Sequence, residues 1–517
     1  MNGAQSLIRT LVDNGVEVCF SNPGTSEMHF VAALDSVPEM RGVLALFEGV
    51  VTGAADGYAR IAGKPAATLL HLGPGLGNGL ANLHNARRAH TPIVNVIGDH
   101  ATYHKQYDAP LESDIDALTG WLEGWSRRSG QTKDVGADAA AAVAAAQDAP
   151  GRVATLILPA DVSWGEGGEP SAPTSPRAPQ AVDTATVKAV AEVLRSGEPV
   201  ALLIGGDACH ETGLRATSRI VAATGAKAFA ETFPARLERG AGLPNLERLG
   251  YLAEQAKYQL DGIRHLIVAG TKAPVSFFAY PGMPSELTPD GAQVHELAAP
   301  GQDVAAALEE VAALVAADTE PVLQEATRPA LPAGPLTPQN WVDVIGALLP
   351  EDAIIVDEAN TSGLLLPGAT AGAPRHDVLT LTGGAIGSGM PVAVGAAIAA
   401  PRRPVINLES DGSAMYTISA LWTQARENLD VTTVVLNNNA YAILRMELQR
   451  VGASGDGPRA KDLLDLGRPD LDFVKLAEGM GVPATRATTA EELAEQFRRA
   501  VAEPGPHLID AAVPPLL

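Results

Sequence analysis

Short runs of β-branched and aliphatic residues alternate with alanine-rich stretches of helical periodicity along the whole chain. The runs are mostly apolar throughout, without the in–out alternation of a half-exposed sheet. Continuous apolar strands separated by helices indicate parallel sheets that are covered on both faces. The pattern therefore predicts an α/β chain of doubly wound parallel sheets, in which ligands gather at the carboxyl ends of the strands. The predicted strands are Val16–Phe20, Val43–Leu46, Thr68–His71, Ile93–Ile97, Ala154–Leu158, Val200–Ile204, His265–Val268, Ala353–Val356, Val405–Leu408, Thr432–Leu436 and His507–Asp510.

Two stretches of the sequence have the composition of linkers. Residues 165–182 are rich in Gly, Pro, Ser and Glu, and residues 326–338 contain four prolines. Both compositions disfavour helix and strand. They divide the 517 residues into three blocks of ordinary domain size. We therefore expect three doubly wound domains, at residues 1–165, 183–325 and 339–517.

The formal net charge of −23 limits the classes of partner. An acidic surface disfavours nucleic acid and anionic membranes as partners. The first residues show no basic segment followed by an apolar one, and no apolar stretch approaches the ~20 residues of a membrane span. Two cysteines, Cys19 and Cys209, are too few for a disulfide framework, and their apolar neighbours predict small buried side chains. The sequence thus predicts a soluble, cytoplasmic protein.

Two neighbouring strands of the third block end in side chains that carry oxygen. The strand Val405–Leu408 leads to Asp411, and the next strand leads to Asn438. A carboxylate and an amide oxygen, with a backbone carbonyl and a diphosphate, would complete the octahedron that Mg²⁺ demands. Gly412 permits close approach of a phosphate, and Ser413 offers it a hydroxyl and an N–H group. For the Asp-Gly-Ser sequence alone, an ordinary strand–turn–helix is the alternative.

The spacing of this pair resembles that of the thiamine-diphosphate enzymes of the acetolactate synthase, pyruvate decarboxylase and benzoylformate decarboxylase group. That family has Gly-Asp-Gly followed by an Asn-Asn pair, and Asn438 stands at the family's distance of 27 residues after Asp411. Ser410 stands where the family usually has the first glycine, which bears on the local backbone angle rather than on the metal ligands. The resemblance implies metal ligation by Asp411, Asn438 and the carbonyl of Ala440, and a diphosphate bordered by Gly412, Ser413 and Tyr441.

Two further segments of the third block resemble cofactor-binding stretches of the family. Within Gly383–Pro391, Ile386 falls where the family has a bulky aliphatic residue that bends the cofactor. The carbonyl of Gly384 should receive the amino group of the cofactor's pyrimidine. Asn360 and Thr361 fall where polar groups reach the far end of the diphosphate. As a bare pattern, Gly383–Pro391 is a glycine-rich turn between a strand and a helix.

Glu48 extends the resemblance into the first block. It follows the strand Val43–Leu46, and its spacing to the sequence Gly-Tyr-Ala-Arg is that of the family. The family's glutamate bonds the distal pyrimidine nitrogen and converts the cofactor's own amino group into a base. The resemblance thus implies a catalytic role for Glu48, whereas a glutamate at a helix start is in general only a favourable dipole partner. It also implies a homodimer or tetramer, in which this domain of one subunit faces the cofactor held by its partner.

Among the branches of the family, the local sequence is most similar to benzoylformate decarboxylase. Residues 22–25 resemble its Asn-Pro-Gly-Ser turn, and His71 falls at a catalytic histidine. The resemblance implies that Thr25 binds the substrate carboxylate and that His71 relays protons to the intermediates. A packed histidine at a strand end is the alternative for His71. Residues 273–279 lack the second catalytic histidine of that enzyme, since Phe278 or Ala279 falls there.

The expected substrate pocket combines two segments of the chain. Glu447 falls where benzoylformate decarboxylase uses a phenylalanine, and a carboxylate in that position argues against benzoylformate itself. The loop of residues 99–114, with His100 and His104, either reaches the active site from the partner subunit or is a solvated polar loop. The pocket residues are Ile443, Leu444, Glu447, Phe277 and Phe278.

As a whole, the chain resembles short proteins similar to the acetolactate synthase large subunit. The resemblance implies an enzyme that requires thiamine diphosphate and Mg²⁺ and decarboxylates a small 2-oxoacid. The product is then protonated to an aldehyde or condensed with a second carbonyl. FAD, which true synthases carry, is not expected, because residues 205–207 form a turn rather than a dinucleotide fingerprint. The alternatives are a flavin-linked 2-oxoacid oxidase and a non-catalytic partner of a true synthase, although the presence of both Glu48 and His71 argues against the second.

Overall fold

Three separate sheets form the framework of the protein, in a computed structural model that describes residues 1–453, 455 and 457–515. The strands of the first sheet are β1 (Val18–Ser21), β2 (Arg41–Leu44), β3 (Ala66–His71), β4 (Ile93–Asp99), β5 (Trp125–Arg128) and β6 (Val153–Pro159). Its helices are α1 (Gly3–Asp13), α2 (Met28–Ala33), α3 (Glu48–Ala62), α4 (Leu72–Arg88), α5 (Ile115–Gly120), α6 (Val135–Gln147) and α7 (Ala160–Trp164). The strand order is β2-β1-β3-β4-β6-β5, and every pair is parallel. All residues of β4 and β6 are buried, which explains their continuous apolar sequences.

The second sheet lies in the middle of the sequence. Its strands are β7 (Val200–Ile204), β8 (Lys227–Ala230), β10 (Glu247–Arg248), β11 (His265–Ala269) and β12 (Gln293–Ala298), in the order β10-β8-β7-β11-β12. The strand β9 (Leu237–Arg239) leaves this region and joins the third sheet. The helices are α8 (Thr184–Arg195), α9 (Glu211–Thr224), α10 (Ala253–Gln259) and α11 (Val304–Val315).

The third sheet has the strand order β17-β18-β16-β15-β13-β14-β9, in which only β14 and β9 pair in antiparallel fashion among the described residues. Its further strands are β13 (Ala353–Glu358), β14 (His376–Thr380), β15 (Val405–Ser410), β16 (Val431–Asn437), β17 (Ala484–Ala487) and β18 (His507–Ala512). The helices are α12 (Asn340–Leu348), α13 (Leu366–Ala369), α14 (Gly389–Ala399), α15 (Asp411–Ala414), α16 (Ala420–Arg426), α17 (Ala442–Arg450), α18 (Pro458–Leu463), α19 (Phe473–Gly479) and α20 (Ala490–Ala502). Separate apolar cores lie on its two faces.

The predicted fold class, α/β with three doubly wound parallel-sheet domains, is confirmed. The predicted strands are present with small shifts: β2 ends at Leu44, two residues before the predicted end, so a short connection precedes Glu48. The linker bounds stay a prediction, and β9 shows that one strand crosses from the middle block to the third sheet. Cys19 and Cys209 are buried thiols, as expected. No helix among the described residues is both long and apolar enough to cross a membrane.

The first and third sheets are joined by the helices α3 and α14, which pack closely through glycines. A Cβ atom on Gly57 would lie 2.1 Å from the carbonyl oxygen of Val392, and one on Gly395 would lie 1.9 Å from that of Ala54. Only glycine permits so close an approach of two backbones. A Cβ atom on Gly53 would meet Pro391 at 2.5 Å, so the first half of α3 lies beside the start of α14.

Candidate functional site

The candidate site lies where the carboxyl ends of strands in the first sheet approach the turn that precedes α14. Asn82 on α4 connects the two sides, because its Nδ2 donates to the carbonyl oxygen of Gly49 at 2.8 Å and lies 3.3 Å from that of Gly387. The start of α3 and the turn before α14 thus come together within one chain. The expected arrangement with a partner subunit stays a prediction.

Glu48, the first residue of α3, is held by two side-chain amides. Its Oε1 accepts a hydrogen bond from Nδ2 of Asn22 at 3.2 Å, and its Oε2 accepts one from Nδ2 of Asn78 at 2.9 Å. The carboxylate is buried at the end of the cleft between β1 and α4. Two donors on separate elements fix the orientation of this carboxylate. Sequence reasoning assigned no role to either asparagine, although Asn22 lies in the turn that was singled out.

His71, the last residue of β3, pairs with a buried glutamate that sequence reasoning missed. Its Nδ1 lies 2.8 Å from Oε2 of Glu27, which also accepts the N–H group of Gly24 at 2.7 Å. Burial raises the pKa of Glu27, and the nearby charge of His71 and the Gly24 bond offset part of the rise. Because Nδ1 is hydrogen-bonded to Glu27, Nε2 is the ring nitrogen that can form a hydrogen bond with a substrate.

Thr25 lies beside this pair. It begins a short 3₁₀ helix that ends at Glu27, and its side chain is exposed. A Cβ atom on the preceding Gly24 would lie 2.3 Å from the ring of His71, so the turn and the imidazole are in contact. Thr25 and His71 are therefore neighbours, which is the arrangement that the resemblance implies.

The turn that contains Gly384 and Ile386 is held by α4. The side chain of Asn85 accepts the N–H group of Ala385 at 3.1 Å and donates to its carbonyl oxygen at 2.8 Å. Gly384 is exposed and has φ +76°, a backbone conformation that favours glycine. Ile386 is half-buried. These bonds hold the turn at Ala385 and leave Gly384 exposed.

Asp411 and the segment after β16 lie next to each other. Oδ2 of Asp411 accepts the N–H group of Asn438 at 3.0 Å, and Oδ1 accepts that of Gly412 at 2.8 Å. Burial raises the pKa of Asp411, and these backbone bonds oppose the rise. Oδ1 of Asn438 accepts the N–H group of Ala440 at 3.0 Å, which places the amide and the backbone of Ala440 together. The three predicted ligands are thus adjacent.

The residues around the predicted diphosphate site are joined by hydroxyl groups. Nδ2 of Asn360 donates to Oγ of Ser410 and to Oγ of Ser413, each at 3.1 Å. Ser410 has φ −81°, an ordinary value, so a serine fits without strain in place of the family's glycine. Thr361 is buried in the 3₁₀ turn that begins at Asn360. A Cβ atom on Gly412 would lie 2.4 Å from the ring of Tyr441.

Strained backbone marks three points of the candidate site. Leu72, Asn360 and Asn439 have positive φ values of 50°, 48° and 55°. They adjoin His71, Thr361 and the predicted metal ligands, respectively. Such conformations cost about 1–3 kcal/mol each and persist where the surroundings enforce them. Their position is consistent with a site whose geometry is set by the fold.

Glu358, at the end of β13, is a second buried residue that sequence reasoning missed. Its carboxylate accepts the N–H groups of Gly387 at 2.7 Å, of Ser388 at 2.8 Å, and of Gly389. Burial raises the pKa of Glu358, and these bonds oppose the rise. Glu409 is buried nearby, where burial and the charge of Glu358 raise its pKa well above the usual range. The sequence analysis singled out this segment for Asn360 and Thr361 and assigned no role to its glutamate.

The expected substrate pocket is built from two elements. Phe277 reaches the turn of Gly384 and Ile386, because its Cζ would lie 2.9 Å from a Cβ atom on Gly384. Phe278 packs edge-to-face against Phe277 with ring centroids 5.1 Å apart, and Tyr251 lies at the same distance from Phe277. Leu444 is exposed on α17, and Ile443 is half-buried. An aromatic wall therefore faces the turn, while the role of the α17 residues stays a prediction.

Glu447 does not stand as an isolated carboxylate. Its Oε1 accepts a hydrogen bond from Nη1 of Arg450 at 3.0 Å. The same guanidinium lies 4.1 Å from the ring centre of Tyr280 and donates to its hydroxyl at 3.2 Å. Burial and a hydrogen bond with Glu447 raise the pKa of Tyr280 to about 12. The charge of Glu447 is therefore paired with Arg450, and the expectation that Glu447 disfavours an aromatic substrate stays a prediction.

The loop of residues 99–114 is anchored by a buried acid. Asp99 accepts from Nζ of Lys105 at 3.1 Å and pairs with Arg128. The rings of His100 and His104 lie 5.4 Å apart at the surface of this loop. Both interpretations of the loop stay open.

The residues present fit thiamine diphosphate with a divalent cation. The donor set of one carboxylate, one amide oxygen and one carbonyl suits Mg²⁺, a hard ion that takes oxygen ligands. Gly384 provides the open backbone that a ring could approach, and the hydroxyl of Ser413 lies beside Asn360 where a phosphate could be bound.

Comparison with known proteins supports the same family. Residues 1–122 match the N-terminal TPP binding domain of thiamine pyrophosphate enzymes, and residues 368–511 match their C-terminal TPP binding domain. The chain is 67% identical to the "Putative acetolactate synthase large subunit IlvX" of Mycobacterium tuberculosis, with 100% of both chains covered. It is 32% identical to benzoylformate decarboxylase of Pseudomonas aeruginosa, with 96% of both covered. The solved structure of the thiamine diphosphate-dependent 4-hydroxybenzoylformate decarboxylase of Rhodococcus jostii RHA1 matches with a TM-score of 0.86 and 25% identity, over 99% of both chains. The chain therefore belongs to the thiamine pyrophosphate enzymes, as an enzyme similar to acetolactate synthase and benzoylformate decarboxylase.

Proposed function

We propose that the protein is a 2-oxoacid decarboxylase or carboligase that requires thiamine diphosphate and Mg²⁺. The observation that carries this proposal is the position of Glu48. Its carboxylate is fixed by Asn22 and Asn78. Asn82 links the first turn of α3 to the carbonyl oxygen of Gly387, which follows the turn of Gly384 and Ile386. A glutamate that served only as a dipole partner for α3 would need neither asparagine.

Thiamine diphosphate, when bound, would supply a nucleophile for the carbonyl of the 2-oxoacid and a sink for the electron pair left behind by CO₂. Asp411, Asn438 and the carbonyl of Ala440 would hold the cation. Ser413 and Asn360 would bind the diphosphate. Glu48 would hold a proton shared with the distal pyrimidine nitrogen, and the buried position of its carboxylate excludes water from that bond.

Protons at the substrate end would be handled by His71. Its Nδ1 is bound to Glu27, so the ring is oriented and its Nε2 can give a proton to, or take one from, an oxygen or carbon of the substrate. Thr25 would bind the substrate carboxylate beside it. A histidine in this place favours protonation to an aldehyde, whereas addition to a second carbonyl would yield an acyloin. Both outcomes share the decarboxylation step.

The assembly is proposed to be a homodimer, or a tetramer in which two dimers pair, and to act in the cytoplasm. Exposed apolar residues of the cleft support a subunit interface there, since Leu46, Met415 and Tyr416 are 50%, 38% and 56% exposed. Light scattering of the purified protein tests this proposal, and a monomer that turns over substrate would contradict it.

The function is tested by incubating the protein with thiamine diphosphate, Mg²⁺ and a panel of 2-oxoacids while CO₂ is measured. We expect release that falls by a factor of roughly 10²–10⁴ in a Glu48→Gln variant, the range typical of general acid–base groups. Glu17→Gln, the same change at a surface carboxylate that pairs with Lys64, is the matched control. Aldehyde or acyloin analysis then separates decarboxylase from carboligase. Release that needs a bound flavin would identify an oxidase, and tight cofactor binding without turnover of any acid would favour a non-catalytic partner.

A further inference from the structure

Glu358 holds three consecutive backbone N–H groups at the start of α14. The acceptor distances are 2.7 Å from Gly387 and 2.8 Å from Ser388, and Gly389 also donates to this carboxylate. The side chain of Glu358 is almost completely buried. A buried carboxylate is costly unless donors surround it, so these bonds and the glutamate depend on each other.

The same residue reaches the opposite end of the candidate cofactor site. Its backbone carbonyl accepts a hydrogen bond from Oγ of Ser410 at 3.0 Å, and Ser410 is bound in turn by Asn360. Ser413 is bound by the same Asn360, whose Nδ2 donates to its Oγ at 3.1 Å. Glu358 therefore connects the turn of Gly384 and Ile386 with the serines that border the predicted diphosphate.

At residues 387–389, few hydrogen bonds among the described residues hold the turn besides those of Glu358. Gly384 and Gly387 have φ values of +76° and +87°, conformations with little intrinsic preference. The carbonyl oxygen of Gly387 is bound by Thr417 at 3.0 Å, while the N–H groups of residues 387–389 are bound by Glu358. Without the carboxylate, three buried donors at the N-terminus of an 11-residue helix would lose their acceptor.

We propose that Glu358 is a positioning residue, which fixes the turn carrying Gly384 and Ile386 relative to the diphosphate-binding serines. This inference rests on the proposed function, because the turn matters only if it holds the cofactor. Glu358 touches neither substrate nor reacting atoms; it acts through the backbone of residues 387–389. The negative charge is required, since an amide in its place would direct an NH₂ group at one or two of the three donors.

The test compares Glu358→Gln with Asp377→Asn. Asp377 is a matched control because it is equally buried, and its carboxylate is bound by Arg236 and Arg403 rather than by residues 387–389. The first measurement is hydrogen exchange of the peptide 384–392 in protein without cofactor. The second is the dissociation constant of thiamine diphosphate at saturating Mg²⁺, with the near-ultraviolet circular dichroism of the bound cofactor.

We expect Glu358→Gln to raise the exchange rate of that peptide and the dissociation constant by roughly tenfold or more, the factor for one lost bond to a charged group. The dichroism should change and kcat at saturating cofactor should fall, whereas Asp377→Asn should match the wild type in these measurements. A variant that lowers only the melting temperature would overturn the proposal, as would equal effects of the two variants. If Glu358→Gln does not fold, Glu358→Asp, which keeps the charge and shortens the reach, should show faster exchange; unchanged exchange would overturn the proposal. A wild-type protein that does not bind thiamine diphosphate would refute the proposed function instead, and the exchange rates would still decide whether Glu358 fixes the turn.

Discussion

The hydrogen bond between His71 and Glu27 predicts a loss of activity in a Glu27→Gln variant, and the contacts of Glu27 set the size of that loss. In Glu27→Gln, the amide oxygen can occupy the position of Oε2 and still accept from Gly24 and His71. The NH₂ group then replaces Oε1, a buried atom without a hydrogen-bond partner among the described residues. The substitution therefore removes the charge and keeps the geometry.

The magnitude comes from the difference between charged and neutral hydrogen bonds. A hydrogen bond to a charged group contributes about 1.5–3 kcal/mol and a neutral one about 0.5–1.5 kcal/mol. The Glu27→Gln substitution should therefore weaken the bond to His71 by about 1 kcal/mol. If the imidazolium of His71 forms during turnover, kcat/KM should fall roughly fivefold in Glu27→Gln. Removal of the imidazole ring in His71→Ala should lower kcat/KM by a factor of roughly 10²–10⁴.

The assay is steady-state turnover of the best 2-oxoacid by both single variants and the double variant. Glu27 acts through His71, so Glu27→Gln should have almost no effect once His71 is alanine. Glu17→Gln, which removes a surface carboxylate paired with Lys64, is the control. The reasoning is refuted if Glu27→Gln costs the same factor with and without the histidine, because Glu27 would then act by another route.

Three further predictions concern the cation, the domain contact and pH. Asp411→Asn should weaken Mg²⁺ binding by roughly a hundredfold or more, because mutation of a residue that merely orients a metal ligand already lowers metal affinity about 10–100-fold. Calorimetry in the presence of thiamine diphosphate measures this affinity. Gly395→Ala should lower the free energy of unfolding by about 1–3 kcal/mol through collision with Ala54, whereas Gly479→Ala, whose Cβ meets open space, should change it by less than about 1 kcal/mol in urea titrations. The folded-state pKa of Glu27 is raised above 4.5, so the native state binds more protons between the two values. The wild type should therefore lose stability relative to Glu27→Gln as pH rises through that window, and equal pH profiles of the two would contradict this.

The predictable part of the site is the part that lies in short motifs. Asp411 and Asn438 were found from a fixed spacing, and Glu48 from its distance to a local sequence. The fold class followed from the apolar runs, because buried parallel strands need apolar residues on both faces. The antiparallel strand Leu237–Arg239 was missed, since a three-residue edge strand leaves almost no periodic signal.

Residues that act through others were not predictable in the same way. Glu27 meets His71 across 44 residues of sequence, and only the pairing of β1 with β3 brings their strands together. Tyr280 meets Arg450 across 170 residues, so this contact could be found only in three dimensions, whereas the pair of Glu447 and Arg450 lies three residues apart on α17. A sequence pattern reports which groups are chemically able to act; it does not report which long-range partner orients them.

Ser410 illustrates how such partners change the meaning of a departure from the family. As a sequence feature, a serine for glycine before Asp411 suggests a distorted turn. In the fold its φ of −81° is ordinary, and its hydroxyl donates to the carbonyl of Glu358 and accepts from Asn360. The position therefore has no need of the conformational freedom of glycine. The serine instead adds two hydrogen bonds between the strand ends that carry the candidate metal and diphosphate residues, so the departure is consistent with a retained site rather than with its loss.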